Sequence, residues 1–547
     1  MSASQSVRGV GSAPHPHEHS TGTGSHDTPG SVQRSGFRRR SVLVGGVAAA
    51  AVGAVALQGV TGAAPAAAAG RDLDPHDKDI AFAGVVEIAK RIAAGEFTAR
   101  QITDFFLARI DMLNPTLRAW TIPLHERARA EADALDAKKA SGARLGPLHG
   151  VPIGIKAENH VKGVPTTYGG AAFTTPSTDD AEVVKRLRAA GAVILGITAM
   201  PEFGIWPFTE TSAHGYTRNP WNILHSTAGS SGGTASAVAS GMVPAAIGGD
   251  GGGSIRLPSS WCGLYGLKLQ RGRVSAAPNV DLWKSLGVIG PLCRKVEDTA
   301  LILDCIHGSV AGVDLYKADP WPYTLTEALT KPVRSLRIAV STAQPAGTHL
   351  DDDTRRAVLQ TGAMLGKLGH RVVAHDPVYP ATLTAAFQPQ VLGGFSTEAR
   401  RADHYELLER RTREGVDIGR STGLSSDIAV AKAIELSKTV GKQILASVFP
   451  AYDLLICPTT PGKAYPIGQL DGAGFVEASS KASPVAAYTS VWNVVGNPAA
   501  AVPAGFSGGL PLSVQVVGPN NSEPLICQVA AQLQKARRWP DQTPPNS

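Results

Sequence analysis

The first strongly patterned part of the chain has apolar residues that recur every three or four positions. This spacing runs through DIAFAGVVEIAKRIAAGEFTARQITDFFLARIDMLN and then HERARAEADALDAKKASGA, a charged, alanine-rich stretch that ends at Gly142. Residues three or four apart share one face of an α-helix, so the pattern predicts helices from about residue 80 to 140. We expect residues 70–145 to form a helical N-terminal part of a larger domain.

From about residue 147 the pattern changes to short apolar runs that alternate with helical stretches. GVPIGIKA is followed by DAEVVKRLRAAGA and then by VILGIT, and residues 335–377 again follow the order strand, helix, strand. This alternation predicts an α/β fold over residues 146–540, with a large parallel or mixed sheet covered by helices on both faces. Residues 376–445 are less regular and favour helix, which is typical of an elaboration over a site.

The first 70 residues lack this patterning. Residues 1–37 are polar and rich in His, Ser and Gly, whereas residues 38–69 carry Arg39 and Arg40 ahead of a weakly apolar stretch. This order resembles a cleavable twin-arginine signal ending near Ala67–Ala69, and it predicts a secreted or extracytoplasmic protein handled by the twin-arginine export machinery. The alternative is a membrane anchor, but a stretch so rich in Ala and Gly would span a bilayer poorly, so no stable anchor is expected.

Composition and charge narrow the class of protein. The chain has 547 residues, of which 43% are hydrophobic, enough to bury a large core. Its formal net charge is +7, and the five arginines and two acidic residues before residue 70 leave about +4 on the rest, too little to indicate nucleic-acid binding. The five cysteines form no CxxC pair, so buried free thiols are expected, with a Cys293–Cys305 bridge left open.

Glycine is densest in AGSSGGTASAVASGMVPAAIGGDGGGSIRLP, where two Gly-rich turns flank a helix of small residues and a short strand. A helix over about residues 232–242 spans roughly 16 Å, and a strand over about residues 243–249 returns roughly 20 Å. If the two run antiparallel, Ser230 and Ser254 reach the same edge. The start of the helix then favours a negative charge that develops there.

Two other interpretations of these turns are available. A phosphate cradle would need a GxxxxGK[ST] motif or a GxGxxG motif after a strand, and the turns contain neither. A nucleophile elbow fits Gly229-Ser230-Ser231-Gly232-Gly233, a G-x-S-x-G motif with Ser231 as the nucleophile of a serine esterase. The elbow requires an apolar strand directly before it, whereas the preceding RNPWNILHSTA contains Pro220 and polar residues. The esterase therefore stays the alternative hypothesis.

Lys156 lies within the apolar run GVPIGIKA. Strand alternation places Ile153 and Ile155 on one face of the strand and Lys156 on the other. A lysine in such a run commonly protects an edge strand, and the functional alternative is a buried base. A free lysine has a pKa near 10.4, so its neutral form costs about 4 kcal/mol near pH 7.5. Burial among uncharged groups lowers that pKa and removes much of the cost.

Several long blocks together resemble the amidase signature family. They are GVPIGIKAENHVKGVPTTYGG, RNPWN, AGSSGG, GGDGGGSIRLPSSWCGLYGLKLQRGRVS and NVVGNPAAAVPAGFSGGLPLSVQVVGP. The similarity extends from about residue 80 to 535, with the blocks in the family's order and spacing. It implies a large α/β/α fold and identifies residues 146–540 as the catalytic domain, with residues 70–145 as its helical N-terminal part.

The resemblance also implies a Ser–cis-Ser–Lys triad. By motif position, Ser254 is the nucleophile, Ser230 is the bridging serine at a cis peptide bond, and Lys156 is the base. The implied reaction is hydrolysis of a carboxylic amide through a Ser254 acyl-enzyme, with protons relayed between the two serines and neutral Lys156. This chemistry needs no metal or organic cofactor.

The glycine run before the nucleophile is implied to form an oxyanion hole. Its donors are the backbone N–H groups of Gly251, Gly252 and Gly253, together with that of the nucleophile. Asp250 and Arg256 are implied to brace the same loop as a pair.

Three motif positions depart from the sequence usual in the family, and the third is Gly251, an extra glycine directly after Asp250. The other two are as follows. Ala157-Glu158-Asn159 stands where Asp-Asn commonly follows the lysine, and Gly248-Gly249-Asp250 replaces the usual Gly-Thr-Asp. None of these changes removes a member of the triad.

The sequence defines the substrate only as a small-molecule amide. RGRVSAAPNVDLW resembles family members that act on small linear or cyclic amides, including aminohexanoate oligomers. Trp206, Phe208, Trp283 and Trp492 either line a pocket or belong to the core. The tRNA-dependent amidotransferase branch is disfavoured because charged tRNA is not expected outside the cell. A non-catalytic exported binding protein is a third hypothesis, which would leave the lysine and the two serines unexplained.

Overall fold

The structure is a computed structural model that describes residues 72–345 and 348–547. The predicted polar segment 1–37 and the predicted export signal 38–69 lie outside the described residues. Among the helices that the structure describes, none combines the length and apolar character needed to cross a membrane.

The described part of the chain alternates helices and strands along most of its length. Its α-helices are α1 (Lys78–Ala81), α2 (Val85–Ala94), α3 (Ala99–Leu117), α4 (His125–Ala140), α5 (Glu182–Ala189), α6 (Gly232–Ala239), α7 (Arg256–Cys262), α8 (Val296–Ile306), α9 (Leu325–Thr330), α10 (Asp352–Lys367), α11 (Leu383–Ala399), α12 (Arg410–Ser421), α13 (Asp427–Val448), α14 (Phe475–Val495) and α15 (Glu523–Arg537). Its strands are β1 (Trp120–Pro123), β2 (Pro152–Lys156), β3 (Val193–Thr198), β4 (Glu210–Thr211), β5 (Gly215–Tyr216), β6 (Arg218–Asn219), β7 (Asn222–Ser226), β8 (Ala245–Asp250), β9 (Tyr265–Lys268), β10 (Val288–Cys293), β11 (Arg337–Val340), β12 (Arg371–Ala374), β13 (Leu454–Pro458), β14 (Ala499–Ser507) and β15 (Leu510–Val517).

Eleven of these strands form one central sheet, in the order β1-β3-β2-β8-β10-β9-β14-β15-β13-β11-β12. β2 pairs in parallel with β3 and β8, and β11 pairs in parallel with β12 and β13. The pairs β8–β10 and β14–β15 are antiparallel. The sheet is therefore mixed and surrounded by helices, which confirms the predicted α/β/α fold.

The N-terminal region is helical as predicted, but it also contains a strand that the pattern did not predict. Thr98 begins α3 with a capping box that involves Gln101. Further along α3, Arg109 donates hydrogen bonds to the carbonyls of Ser240 and Gly241 just after α6, which ties the helix to the sheet domain. The unpredicted strand is β1, which pairs antiparallel with β3. Four residues between two helices are too few for a clear period-two signal.

The segment predicted to elaborate the site is helical and lies over the glycine loop. Residues 376–445 contain α11, α12 and most of α13. Phe387 of α11 is the side chain nearest to a Cβ built at Gly252, at 3.1 Å. The irregular sequence pattern therefore belongs to helices that do not extend the sheet, and one of them, α11, reaches the glycine loop.

All five cysteines are free thiols. Cys293 ends β10 and Cys305 lies in α8, and the two are not bridged. The disulfide left open by the sequence is therefore absent, and the expectation of free thiols is confirmed.

Candidate active site

Lys156 ends β2, which is an interior strand of the central sheet. β2 lies between β3 and β8 and pairs with both, so the interpretation of Lys156 as an edge-strand guard is wrong. Periodicity shows which face of a strand a residue occupies, but not which strands flank it. β2 and β8 are parallel, so Lys156 and Asp250, at their carboxyl ends, lie at the same edge of the sheet.

The structure brings Lys156 and Ser230 into direct contact. The Lys156 side chain is only 1% exposed, and its Nζ donates a 2.8 Å hydrogen bond to Ser230 Oγ. The Gly229–Ser230 peptide bond is cis, as the resemblance implies. Gly204, at φ 70°, packs so closely that a Cβ there would lie 2.9 Å from Ser230 Oγ. Glycine suits both that backbone conformation and that close approach, and no sequence pattern predicts this role for Gly204.

Burial lowers the pKa of Lys156 below its ordinary value. The carboxylate of Glu158, 3.1 Å from Nζ, and that of Asp250 act in the opposite direction, but burial dominates. The neutral amine is therefore more accessible near neutral pH than that of a lysine in water.

Ser231 connects the two glycine-rich turns. Its backbone N–H donates to the Ser254 carbonyl at 3.3 Å, its hydroxyl donates to the Gly249 carbonyl at 3.2 Å, and the Gly249 N–H donates back to that hydroxyl at 3.3 Å. The strand before this turn, β7, pairs with β6 in a two-stranded sheet that is separate from the central sheet. The structure thus lacks the central strand that an elbow at Ser231 requires, and it holds Ser254, 6% exposed, beside the first turn.

Asp250 and Arg256 form a bidentate pair inside the protein. Arg256 Nε and Nη2 each donate a 2.9 Å hydrogen bond to the carboxylate, and both side chains are fully buried. The same carboxylate accepts the Gly253 N–H at 2.8 Å, which fixes the glycine loop to the pair. The prediction that Gly253 donates to the oxyanion is therefore corrected, because its N–H is already used to hold the loop. Arg256 also donates to Gln515 and Asn493, two partners that the sequence did not single out.

The electrostatics of this pair favour the ionised carboxylate. Burial alone would raise the pKa of Asp250, but Arg256 and the surrounding donors outweigh it and lower the pKa to about 2. Because the folded state depresses this pKa, the contribution of Asp250 to stability is complete above its unfolded value of about 3.9 and is lost as the pH falls towards 2.

The three glycines of the loop are packed against different neighbours. A Cβ at Gly251 would overlap the Trp283 ring, and one at Gly253 would overlap Thr489. Gly253 also has φ 135°, which side-chain-bearing residues rarely adopt. The Thr489 hydroxyl donates a 2.7 Å hydrogen bond to the Gly252 carbonyl and so ties the loop to α14. The loop is held from several directions, as a fixed set of backbone donors would require.

The four aromatic residues considered as pocket candidates divide between core and cavity. Trp206, Phe208 and Trp492 are buried in hydrophobic clusters. Trp283 is partly buried, lies against Gly251 and lines a cavity beside the loop. Of these four residues, Trp283 is therefore the one placed to contact a ligand near the loop.

A second buried lysine was not singled out by the sequence. Lys268 ends β9, and its Nζ donates to the carbonyls of Asn497 at 2.6 Å and Leu269 at 3.1 Å. Burial lowers its pKa well below the ordinary value. Its hydrogen-bonding to main-chain carbonyls gives it a structural role between β9 and the turn after α14. Among the described residues, no group of three or more His, Cys, Asp or Glu side chains could hold a metal ion.

The mixed α/β/α fold is shared with solved structures of amide-hydrolysing enzymes, and the sequence matches the same class of protein. The Amidase family model matches residues 101–527. AmiB2 of Mycobacterium bovis (strain ATCC BAA-935 / AF2122/97) is 42% identical over 475 residues, which cover 86% of this chain and 99% of that protein. The chain therefore belongs to the amidase signature family.

Two solved structures show the same fold. One is 6-aminohexanoate cyclic dimer hydrolase complexed with substrate, with a TM-score of 0.79 and 30% identity, covering 85% of this chain and 99% of that one. The other is the peptide amidase PAM in complex with the competitive inhibitor chymostatin, with a TM-score of 0.71 and 26% identity. That match covers 83% of this chain and 97% of the peptide amidase chain. Both match nearly their full length.

Proposed function

We propose that this amidase cleaves its amide through a Ser254 acyl-enzyme, with Ser230 and Lys156 as the proton relay. The observation that carries the proposal is the 2.8 Å hydrogen bond between Lys156 Nζ and Ser230 Oγ in a fully buried setting. A lysine whose pKa is lowered by burial can accept a proton from a serine, which an exposed lysine at neutral pH does poorly.

The proposed reaction proceeds by acyl transfer. Neutral Lys156 accepts the Ser230 proton, Ser230 takes the Ser254 proton, and Ser254 Oγ bonds to the amide carbonyl carbon. The backbone N–H groups of Gly251, Gly252 and Ser254 hold the resulting oxyanion, since that of Gly253 already donates to Asp250. The relay then returns the proton to the amide nitrogen as the C–N bond breaks, which releases ammonia or an amine. Water attacks the ester by the same route and releases the acid.

The proposed substrate is a small linear or cyclic carboxylic amide. The solved relatives include a hydrolase of a cyclic aminohexanoate dimer and a peptide amidase. In this chain, Trp283 and Phe387 stand beside Gly251 and Gly252, so an apolar acyl chain could pack next to the oxyanion donors.

A panel of aliphatic, aryl, cyclic and amino-acid amides tests this proposal, with product acid measured by chromatography. We expect hydrolysis of at least one member by the unmodified enzyme. The variant Lys156→Met, which keeps most of the buried volume but lacks the amine, should lose that activity. It should also unfold at a lower temperature, because the buried Glu158 carboxylate loses its partner, so activity is compared at a temperature where both proteins are folded. Undiminished hydrolysis by a folded Lys156→Met would contradict the relay.

The glycine loop should respond unequally to alanine. Gly253→Ala introduces a Cβ that overlaps Thr489 at a φ of 135°, whereas Gly252→Ala meets only the end of the Phe387 ring at 3.1 Å. Displacing an oxyanion donor costs about 10²-fold or more in rate. We therefore expect Gly253→Ala to reduce hydrolysis by about 10²-fold and Gly252→Ala by less than about tenfold. Equal losses in the two folded variants would argue against this packing account.

We also propose that the enzyme is exported through the twin-arginine route. The support is the order of Arg39 and Arg40, a weakly apolar stretch and small residues up to Ala69. In a host with this machinery, changing both arginines to lysine should leave the enzyme in the cytoplasm, as measured by fractionation and immunoblotting. Extracytoplasmic enzyme at the unmodified level would exclude the proposed signal.

A further inference from the structure

A carboxylate lies directly against the proposed base. Glu158 Oε1 is 3.1 Å from Lys156 Nζ, and the two side chains are only 8% and 1% exposed. Neither Glu158 oxygen accepts an aligned hydrogen bond from a described residue. The ammonium of Lys156 is therefore the group that this carboxylate meets at close range.

The local fold brings Glu158 back towards the lysine. β2 ends at Lys156, and the chain turns at once, with the Asn159 N–H donating to the Lys156 carbonyl at 3.0 Å. Asn279 holds the turn by donating to the Glu158 carbonyl at 2.8 Å. On β8, a Cβ at Gly249 would overlap the Glu158 carboxylate, so glycine leaves the space that this side chain occupies.

We propose that Glu158 is a positioning residue that holds Lys156 beside Ser230 and, through its charge, sets the lowest pH at which Lys156 can act as a base. This inference rests on the proposed function. Glu158 lies in the segment where members of the family commonly have Asp-Asn after the lysine. The triad does not explain this difference in sequence, and the proposed role does.

The direction of the effect follows from simple electrostatics. The relay needs neutral Lys156, and a neighbouring carboxylate favours the ammonium form. Glu158 therefore raises the pKa of Lys156, which partly offsets the lowering by burial. Removing the charge should extend activity to lower pH, whereas a carboxylate that served only packing would leave this limit unchanged.

The other charged groups near Lys156 and Glu158 are the same in the unmodified enzyme and in a variant that lacks the Glu158 charge. Asp250 also acts on Lys156, but it is paired with Arg256. Tyr168 is close enough to Glu158 to sense its charge. Arg271, Lys284, Asp314 and Tyr316 line the same cavity as Glu158, and Lys268 on β9 senses the charge of Asp250.

The test is the rate at which a fluorophosphonate labels the full-length enzyme as a function of pH. We expect the acidic limit of labelling in Glu158→Gln to lie about one pH unit or more below that of the unmodified enzyme. At pH values below the unmodified midpoint, labelling should therefore be about tenfold faster, provided the Gln side chain still holds Lys156 near Ser230. Slower labelling at all pH values, with the midpoint of the pH profile unchanged, would overturn the inference.

A matched control is Glu210→Gln. Glu210 is also a buried glutamate, but its carboxylate accepts the N–H groups of Gly468 and Leu470. Replacing Glu210 should leave the acidic limit of fluorophosphonate labelling unchanged. If Glu158→Gln does not fold, Glu158→Asp withdraws the carboxylate by one methylene and should shift the limit in the same direction by less; no shift in a folded variant overturns the inference. Absence of Ser254 labelling in the unmodified enzyme would instead refute the proposed function.

Discussion

Replacing Ser254 with alanine is expected to lower amide hydrolysis by about 10⁴-fold or more, because removal of a nucleophile leaves only binding and oxyanion stabilisation. The fold should survive, since the contact that ties this position to Ser231 uses the Ser254 carbonyl and not its side chain. Initial rates on the best amide of the panel, together with the thermal unfolding temperature, measure both effects.

Ser260→Ala is the matched control for this substitution. Ser260 is also buried, and its hydroxyl lies 3.0 Å from the Thr460 hydroxyl rather than in the loop. We expect this variant to keep its activity within a few-fold, with a loss of stability of about 1 kcal/mol. Activity within tenfold of the unmodified enzyme in Ser254→Ala would exclude Ser254 as the nucleophile.

Arg256→Met is expected to lower the free energy of unfolding by about 3–5 kcal/mol, because it leaves the buried Asp250 carboxylate without its partner. Both side chains are fully buried, so water cannot compensate for the lost charge. Since Asp250 also accepts the Gly253 N–H, activity should fall even in the fraction that folds. Urea unfolding followed by circular dichroism measures the stability change.

An exposed ion pair gives the comparison for Arg256. Arg410 and Glu414 form a pair on α12, with side chains 61% and 36% exposed. Arg410→Met should cost less than about 1 kcal/mol, as exposed pairs do. Similar losses in the two variants would show that burial of the Asp250–Arg256 pair is not what makes it important.

Local patterns predicted the elements that carry the site. β2, α6 and β8 follow from apolar runs and small-residue stretches within a few residues of their observed bounds. The helix predicted over about residues 232–242 ends at Ala239, and the strand predicted over about 243–249 begins at Ala245. Glycine turns at both junctions account for this accuracy, because they restrict where helix and strand can end.

Long-range pairing was not predictable in the same way. The edge interpretation of Lys156 failed because the flanks of β2 are set by β3 and β8, which lie about 40 and 90 residues further along the chain. Asn493 and Gln515 brace Arg256 from more than 230 residues away, and no local spacing indicates such contacts. The proximity of Glu158 to Lys156 likewise depends on a turn and on the space at Gly249.

The roles of the triad came from the family resemblance and stay predictions. The geometry adds the Lys156–Ser230 hydrogen bond and the burial that lowers the lysine's pKa. Periodicity could place these residues on strands and turns. It could not give either the distance between them or the low-dielectric surroundings that make the lysine usable as a base.

The most direct test of the central claim is to identify the serine that a fluorophosphonate labels, by mass spectrometry of the digested enzyme. We expect label on the peptide containing Ser254, and loss of that label in folded Lys156→Met. Label on Ser231, no label on active enzyme, or undiminished Ser254 label without Lys156 would contradict it.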